Sequence, residues 1–146
     1  MKRYAYAWLV AVFVLTTPMV VAEAQEPARR GTVELGQNFP NPFNPATTIP
    51  FRLSDQLFLA GRRPVVSLRI YNVLAQLVAI PNLQQSGQPL DNVELECLNP
   101  QGGFCEFSAY WDGHWQRSTR EAASGVYVYQ LVVNGQRTSR RMLVTK

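Results

Sequence analysis

Few side chains in this sequence are able to carry covalent or acid–base chemistry. His114 is the single histidine, and both Ser-His-Asp and Cys-His relays need an imidazole held beside the nucleophile. It lies in a turn-like stretch between Trp111 and Trp115 and is read as a turn residue. Glycine-rich phosphate loops and metal-ligand spacings do not appear in the sequence. The expectation is therefore a chain that is not an enzyme and that takes no cofactor and no metal. Cys97 and Cys105 lack the Cys-x-x-Cys spacing of a redox pair and flank Asn99-Pro100-Gln101-Gly102-Gly103, a stretch dense in turn formers. A structural disulfide is expected. If residues 93–97 and 104–109 pair as a hairpin centred near Gln101, Cys97 faces Cys105 and Leu95 faces Phe107, and closing that loop contributes roughly 2.5 kcal/mol. The same register opposes Glu96 to Glu106, and directly opposed like charges destabilise a sheet. An arginine such as Arg117 or Arg120, rather than Ca²⁺, is expected to neutralise them. Phe104, Tyr110, Trp111 and Trp115 offer aromatic surface for a sugar; Trp111 is expected in the core with Trp115 capping it, which leaves Trp115 and Tyr110 as the candidate ligand platform.

The elements that must position these groups begin after an address. Lys2 and Arg3 precede an apolar run from Ala5 to Val21, and Ala22-Glu23-Ala24 supplies a small-x-small cleavage site. Residues 1–24 are read as a secretory signal in preference to a membrane-spanning helix, because Pro18 and the cleavage pattern sit at the end of the run. Export places both cysteines in an oxidising compartment, where a disulfide persists. Residues 25–36 are polar and read as a linker, and 37–146 as one domain. With 47% hydrophobic and 16% charged residues, the composition excludes a disordered tail, a collagen and a coiled coil. Net charge is +4, but apart from the pairs Arg29-Arg30, Arg62-Arg63 and Arg140-Arg141 the positive residues are scattered. That distribution argues against nucleic acid as a partner.

Period-two alternation dominates the rest. Ile49, Phe51 and Leu53 form one set, and Val66, Leu68 and Ile70 a second. A third strand is expected over 76–80 after a turn at 72–75. Three prolines in Gln37-Asn38-Phe39-Pro40-Asn41-Pro42-Phe43-Asn44-Pro45 exclude helix and central strand there. That stretch is expected to be an Asn-braced loop burying Phe39 and Phe43. Residues 54–63 read as a short helical turn or a plug. Asn134-Gly135, flanked by alternating apolar residues, is the strongest short-range hairpin signal. Its register sets Tyr129 against Arg140 and Tyr127 against Met142, which puts the tyrosines, Leu131, Met142 and Val144 on one face. About seven strands and frequent turns predict an all-β antiparallel sandwich.

Several segments together resemble a known family. Residues 39–49, Leu68-Arg69-Ile70-Tyr71-Asn72, Trp111-Asp112-Gly113, Ser124-Gly125-Val126-Tyr127 and the run from Arg140 to Lys146 are similar, in order, to the C-terminal sorting domain of type IX secretion cargo. The resemblance covers residues 35–146 and implies an Ig-like sandwich, similar to that of flagellar hook-capping proteins. It implies a non-catalytic sorting or cell-surface attachment signal, exported through the inner membrane and ending secreted or on the outer surface. The implied partner is an outer-membrane translocon or attachment machinery, and the implied recognition residues are Gly125, Tyr127, Asn134, Gly135, Arg140, Arg141 and Lys146. Ala75 stands where that family usually has glycine, so a left-handed turn there costs about 1 kcal/mol. The alternative reading is a free-standing secreted adhesion module that uses Trp115 and Tyr110 to hold a surface polysaccharide.

Overall fold

The computed structural model describes residues 32–146; the expected signal over 1–24 and its cleavage site lie outside the described residues. Alternation becomes strand wherever it was strong. Residues Thr47–Ser54 (β2) bury Thr47, Ile49, Phe51 and Leu53 and turn Arg52 to solvent. Residues Val65–Tyr71 (β3) bury Val66, Leu68 and Ile70. Gly125–Val133 (β8) and Gln136–Val144 (β9) are joined at Asn134-Gly135 in the expected register, with Val133 opposite Gln136, Tyr129 opposite Arg140 and Tyr127 opposite Met142.

The described residues hold nine strands rather than about seven, because two very short pieces escape any periodicity test. These are β1 (Val33–Leu35) and β5 (Asn82–Leu83), while the strand expected over 93–97 shortens to β6 (Val93–Glu94). Leu77–Ala79 (β4) and Phe104–Trp111 (β7) complete the set. One antiparallel sheet runs β1-β2-β7-β5, and the other runs β4-β3-β8-β9 with β6 also on β3. Their inner faces share a single core, with Ile49, Phe51 and Ala109 from the first sheet against Leu68, Tyr129 and Leu131 from the second. The all-β expectation therefore holds. β1 lies inside the stretch read as a linker, since Leu35 is buried and all three of its residues pair with β2.

Residues 55–61 form a 3₁₀ turn, entered through Ser54, whose Oγ accepts from the Gln56 N–H at 3.3 Å. The turn brings Phe58 over Phe107 (6.4 Å between ring centres), which itself stacks on Phe51 at 5.4 Å.

The cysteine region requires a correction. Cys97 and Cys105 are bonded, with Cα atoms 5.7 Å apart, but not across a hairpin of 93–97 on 104–109. β6 pairs with β3 in the opposite sheet, Val65 facing Glu94 and Val66 facing Val93, and the Leu95 N–H donates to the Pro64 carbonyl at 3.1 Å. The chain does reverse at Gly102-Gly103, but only Gln101 and Phe104 pair before the arms part. The disulfide thus ties the β6 side of one sheet to β7 of the other. Glu96 and Glu106 consequently never face each other. Glu96 pairs with Arg63, and Glu106 lies across from Arg52. Arg63 neutralises Glu96, whereas Arg52 gives its charge to Glu34 and no ion pair reaches Glu106 among the described residues; neither Arg117 nor Arg120 pairs with either carboxylate.

Candidate functional site

The expected recognition residues fall on the β8–β9 hairpin, and their neighbours show which are available to a partner. A two-residue turn makes Val133 and Gln136 a hydrogen-bonded pair, so even-numbered residues of β9 bond inward to β8 and Arg137, Ser139, Arg141 and Leu143 point their backbone groups outward. The lower half of this edge is covered. Gln37 Nε2 donates to the Arg141 carbonyl at 3.2 Å, and the Leu143 N–H donates to Asn41 Oδ1 at 3.0 Å. The Phe43 N–H donates to the Leu143 carbonyl and the Thr145 N–H to the Phe43 carbonyl, both at 3.1 Å.

The proline loop can do this because Asn38 braces it. Asn38 Nδ2 donates to the Pro40 carbonyl (3.1 Å) and to Thr47 Oγ1 (3.0 Å), while its backbone N–H donates to the Tyr129 hydroxyl (3.1 Å). That hydroxyl donates in turn to the Gly36 carbonyl at 2.7 Å. Burial pushes the Tyr129 phenol above its ordinary pKa, with the Asn38 N–H and Arg140 pulling partly back. Only one of the two loop phenylalanines goes inside: Phe43 is 1% exposed, whereas Phe39, expected to be buried, is 58% exposed. Phe39 instead pairs its backbone with Thr48, which leaves its ring outside.

Of the seven expected recognition residues, several are committed internally. Tyr127 is buried, its hydroxyl donating to the Ala123 carbonyl at 3.0 Å, so it supports the hairpin from beneath. Asn134 and Gly135 form the turn at φ 48° and 85°, and Asn134 Oδ1 accepts from the Val65 N–H at 2.9 Å, docking the turn on β3. Gly125 opens β8 opposite Val144 at φ 149°. Lys146 is paired with Glu121, and the Lys146 ammonium holds the Glu121 carboxyl below the usual carboxylate value, by hydrogen bond first and charge second. Arg140 Nε donates to the Leu35 carbonyl at 2.6 Å, bridging the two sheets. Arg141 is exposed and forms no ion pair among the described residues.

The aromatic platform is a separate feature. Tyr110 and Trp115 line one open cleft of about 370 Å³, together with Pro81, Asp112, His114 and Arg117. Arg120 lies 4.8 Å over the Trp115 ring and covers one of its faces. Trp111 is in the core, its Nε1 donating to the His114 carbonyl at 2.9 Å. Asp112 Oδ1 accepts from the His114 N–H at 2.9 Å, closing the turn in which His114 was expected. A Cβ at Gly113, φ 85°, would stand 2.0 Å from the Pro45 carbonyl oxygen, so this position admits only glycine.

Sequence reading expected an asparagine-braced loop over residues 37–45, and Asn38 is the brace; it missed Glu121 and the edge of β1. Glu121 carries no local signal, because its partner lies 25 residues away.

No protein-family model matches the chain, and no match is found among curated proteins. Among solved structures, the chain is similar to the alkylpurine DNA glycosylase AlkC of Pseudomonas fluorescens, bound to DNA containing an abasic-site analogue, at 16% identity and a TM-score of 0.45. The match covers 79% of this chain and 31% of that one. The expectation that the chain is not an enzyme is not upheld: the similar structure is an enzyme. At that TM-score the likeness carries no argument about activity or partner.

Proposed function

We propose that residues 33–146 form an Ig-like domain that acts as a type IX secretion C-terminal sorting or cell-surface attachment signal, recognised through the β8–β9 hairpin. In this reading the chain is exported after cleavage between Ala24 and Gln25 and ends at the outer surface. One observation carries the reading: four of the five segments that resemble the sorting family meet in one cluster. Phe43 of the proline loop packs edge-on to Trp111 with ring centres 5.3 Å apart, and Trp111 packs on Tyr127 at 5.9 Å. Gly113 backs onto Pro45, and Phe43 pairs with Val144. Residues that need one another to fold would be kept together in a domain whose folded shape is the signal.

The test is a fusion of a passive reporter to residues 25–146, exported in a host that has the type IX machinery. The intact fusion is expected at the cell surface. Arg141→Glu, which changes an exposed charge, should lower surface display, and Trp115→Ala should not. A folded fusion retained in the periplasm would overturn the proposal. The second reading, a secreted module holding a surface polysaccharide, is favoured by the cleft that Tyr110 and Trp115 share. It predicts polysaccharide binding that Tyr110→Ala abolishes.

A further inference from the structure

The uncovered half of the β9 edge does not stand alone. β1, the edge strand of the other sheet, runs beside it, and between them lies a groove of about 850 Å³ lined by Val33, Leu35, Phe51, Thr138, Ser139 and Arg140. The inward bonds of β1 are placed by the Ser54 N–H donating to the Thr32 carbonyl and the Gly36 N–H donating to the Pro50 carbonyl. Residues 32, 34 and 36 therefore face β2, and Val33 and Leu35 turn their backbone groups to the groove. The Leu35 carbonyl is taken by Arg140. On the β9 side, the N–H and carbonyl groups of Arg137 and Ser139 point outward, above the stretch sealed by the proline loop. Among the described residues this is an unpaired strand edge, of the kind that accepts another strand.

Charge identifies the occupant. Arg137, Arg140 and Arg141 are exposed and form no ion pair among the described residues. The one carboxylate lining the groove, Glu34, is already paired with Arg52. A second copy of the chain fits poorly. Antiparallel pairing of two β9 edges about Ser139 sets Arg137 of each copy opposite Arg141 of the other, and opposed like charges destabilise a sheet.

We propose that the β9 edge at Arg137 and Ser139, walled by β1 and flanked by the Arg140 and Arg141 side chains, binds an extended acidic segment of a partner protein by strand addition. This deepens the proposed recognition of the terminal hairpin and rests on it for its biological setting; the binding itself rests on the edge and the arginines.

Ser139 makes a sharp probe, because its outward N–H makes no ladder bond in the fold and proline is tolerated at such positions. The chain from Gln25 is titrated with a labelled peptide of about eight residues alternating valine and glutamate, and with its valine–lysine counterpart. The acidic peptide should bind at least about tenfold more tightly, with affinity falling as salt rises. Ser139→Pro should weaken it about tenfold or more while the melting temperature stays close to wild type. Hydrogen exchange should slow at Arg137 and Ser139 on binding. If Ser139→Pro does not fold, the double variant Arg137→Glu, Arg141→Glu takes its place and should reverse the preference between the peptides. Equal binding of both peptides overturns the proposal, as does unchanged binding by folded Ser139→Pro. So does a dimer that protects these amides without peptide. A reporter held in the periplasm while the acidic peptide still binds removes the sorting function and leaves the docking edge. Surface display without peptide binding does the reverse.

Discussion

At Asn134-Gly135 and at Gly102-Gly103 the chain reverses through two consecutive residues of positive φ, 48° and 85° in the first case and 57° and 84° in the second. The first turn leads into nine cross-strand pairs, the second into one. Both turns have the backbone twist that suits a hairpin, so the difference lies in the arms. β8 buries Tyr127, Tyr129, Leu131 and Val133 on one face along its length, and β9 meets the far end of that face with Met142 and Val144, Tyr127 lying opposite Met142. The arm before Gly102 offers Pro100, Asn99 and the exposed Leu98, which give β7 nothing to pair with. Meanwhile β7 already has β2 on one side and β5 on the other. A turn thus sets where the chain reverses, and the partners available on each side set whether a ladder follows. Where no ladder follows, the disulfide makes the connection between the arms.

The comparison can be broken most severely at the disulfide. The double variant Cys97→Ala, Cys105→Ala should lose about 2.5 kcal/mol of stability, read as a lowered urea midpoint. Hydrogen-exchange protection within β8–β9 relative to the global value should be unchanged; a selective loss there would mean that the two regions are coupled. Next, Gly135→Ala should cost about 1–2 kcal/mol, because alanine is strained at its positive φ. Gly103→Ala should cost about half of that or less, since arms joined by a single pair can relax. Equal losses would show that the turn's own strain, and not the ladder, decides the cost. A third reversal supplies the converse case. Ala75 holds φ 59° where no glycine is present, with Asn72 Oδ1 accepting from the Leu74 and Gln76 N–H groups at 3.0 Å. Ala75→Gly should raise stability by about 0.5–1 kcal/mol in thermal melts.

The smallest effect is at the open end of the hairpin. Lys146 holds Glu121 below its ordinary value of 4.5, so the folded state favours the carboxylate. This contribution is fully present above the ordinary value and fades as pH falls through the lowered one. Carboxyl titration by NMR should place Glu121 below the ordinary range in the native chain and return it there in Lys146→Ala.

The same contrast explains what the sequence made legible. Ile49, Phe51, Leu68 and Tyr129 announce their strands because alternation is a local property, and Asn134-Gly135 pins the longest ladder because a two-residue turn leaves one register. The Trp111-Asp112-Gly113 turn and the pairing of two cysteines eight residues apart are local too. The placement of β6 is not. Val93 and Leu95 alternate equally well against β7 or β3, and the Leu95 bond to the Pro64 carbonyl decides between them in space. Phe39 and Phe43 stand in near-identical surroundings, and which enters the core depends on a backbone pairing with Val144 about a hundred residues downstream. The groove between β1 and β9 was invisible for a related reason: β1 is three residues long, and an edge is defined by the strand that is missing beside it.

The proline loop and the lower part of β9 are separated by 102 residues at Asn41 and Leu143 and by 104 at Gln37 and Arg141. Synthesis delivers the loop first, and its carbonyl and amide partners arrive only after nearly all of the domain has been made. Long-range closures of this kind slow folding. A nascent or truncated chain lacking residues 141–145 would hold a braced loop with Phe43 lacking its pairing with Val144. The closing contact therefore works as a test of completeness, satisfied only by a chain whose two distant segments are both present.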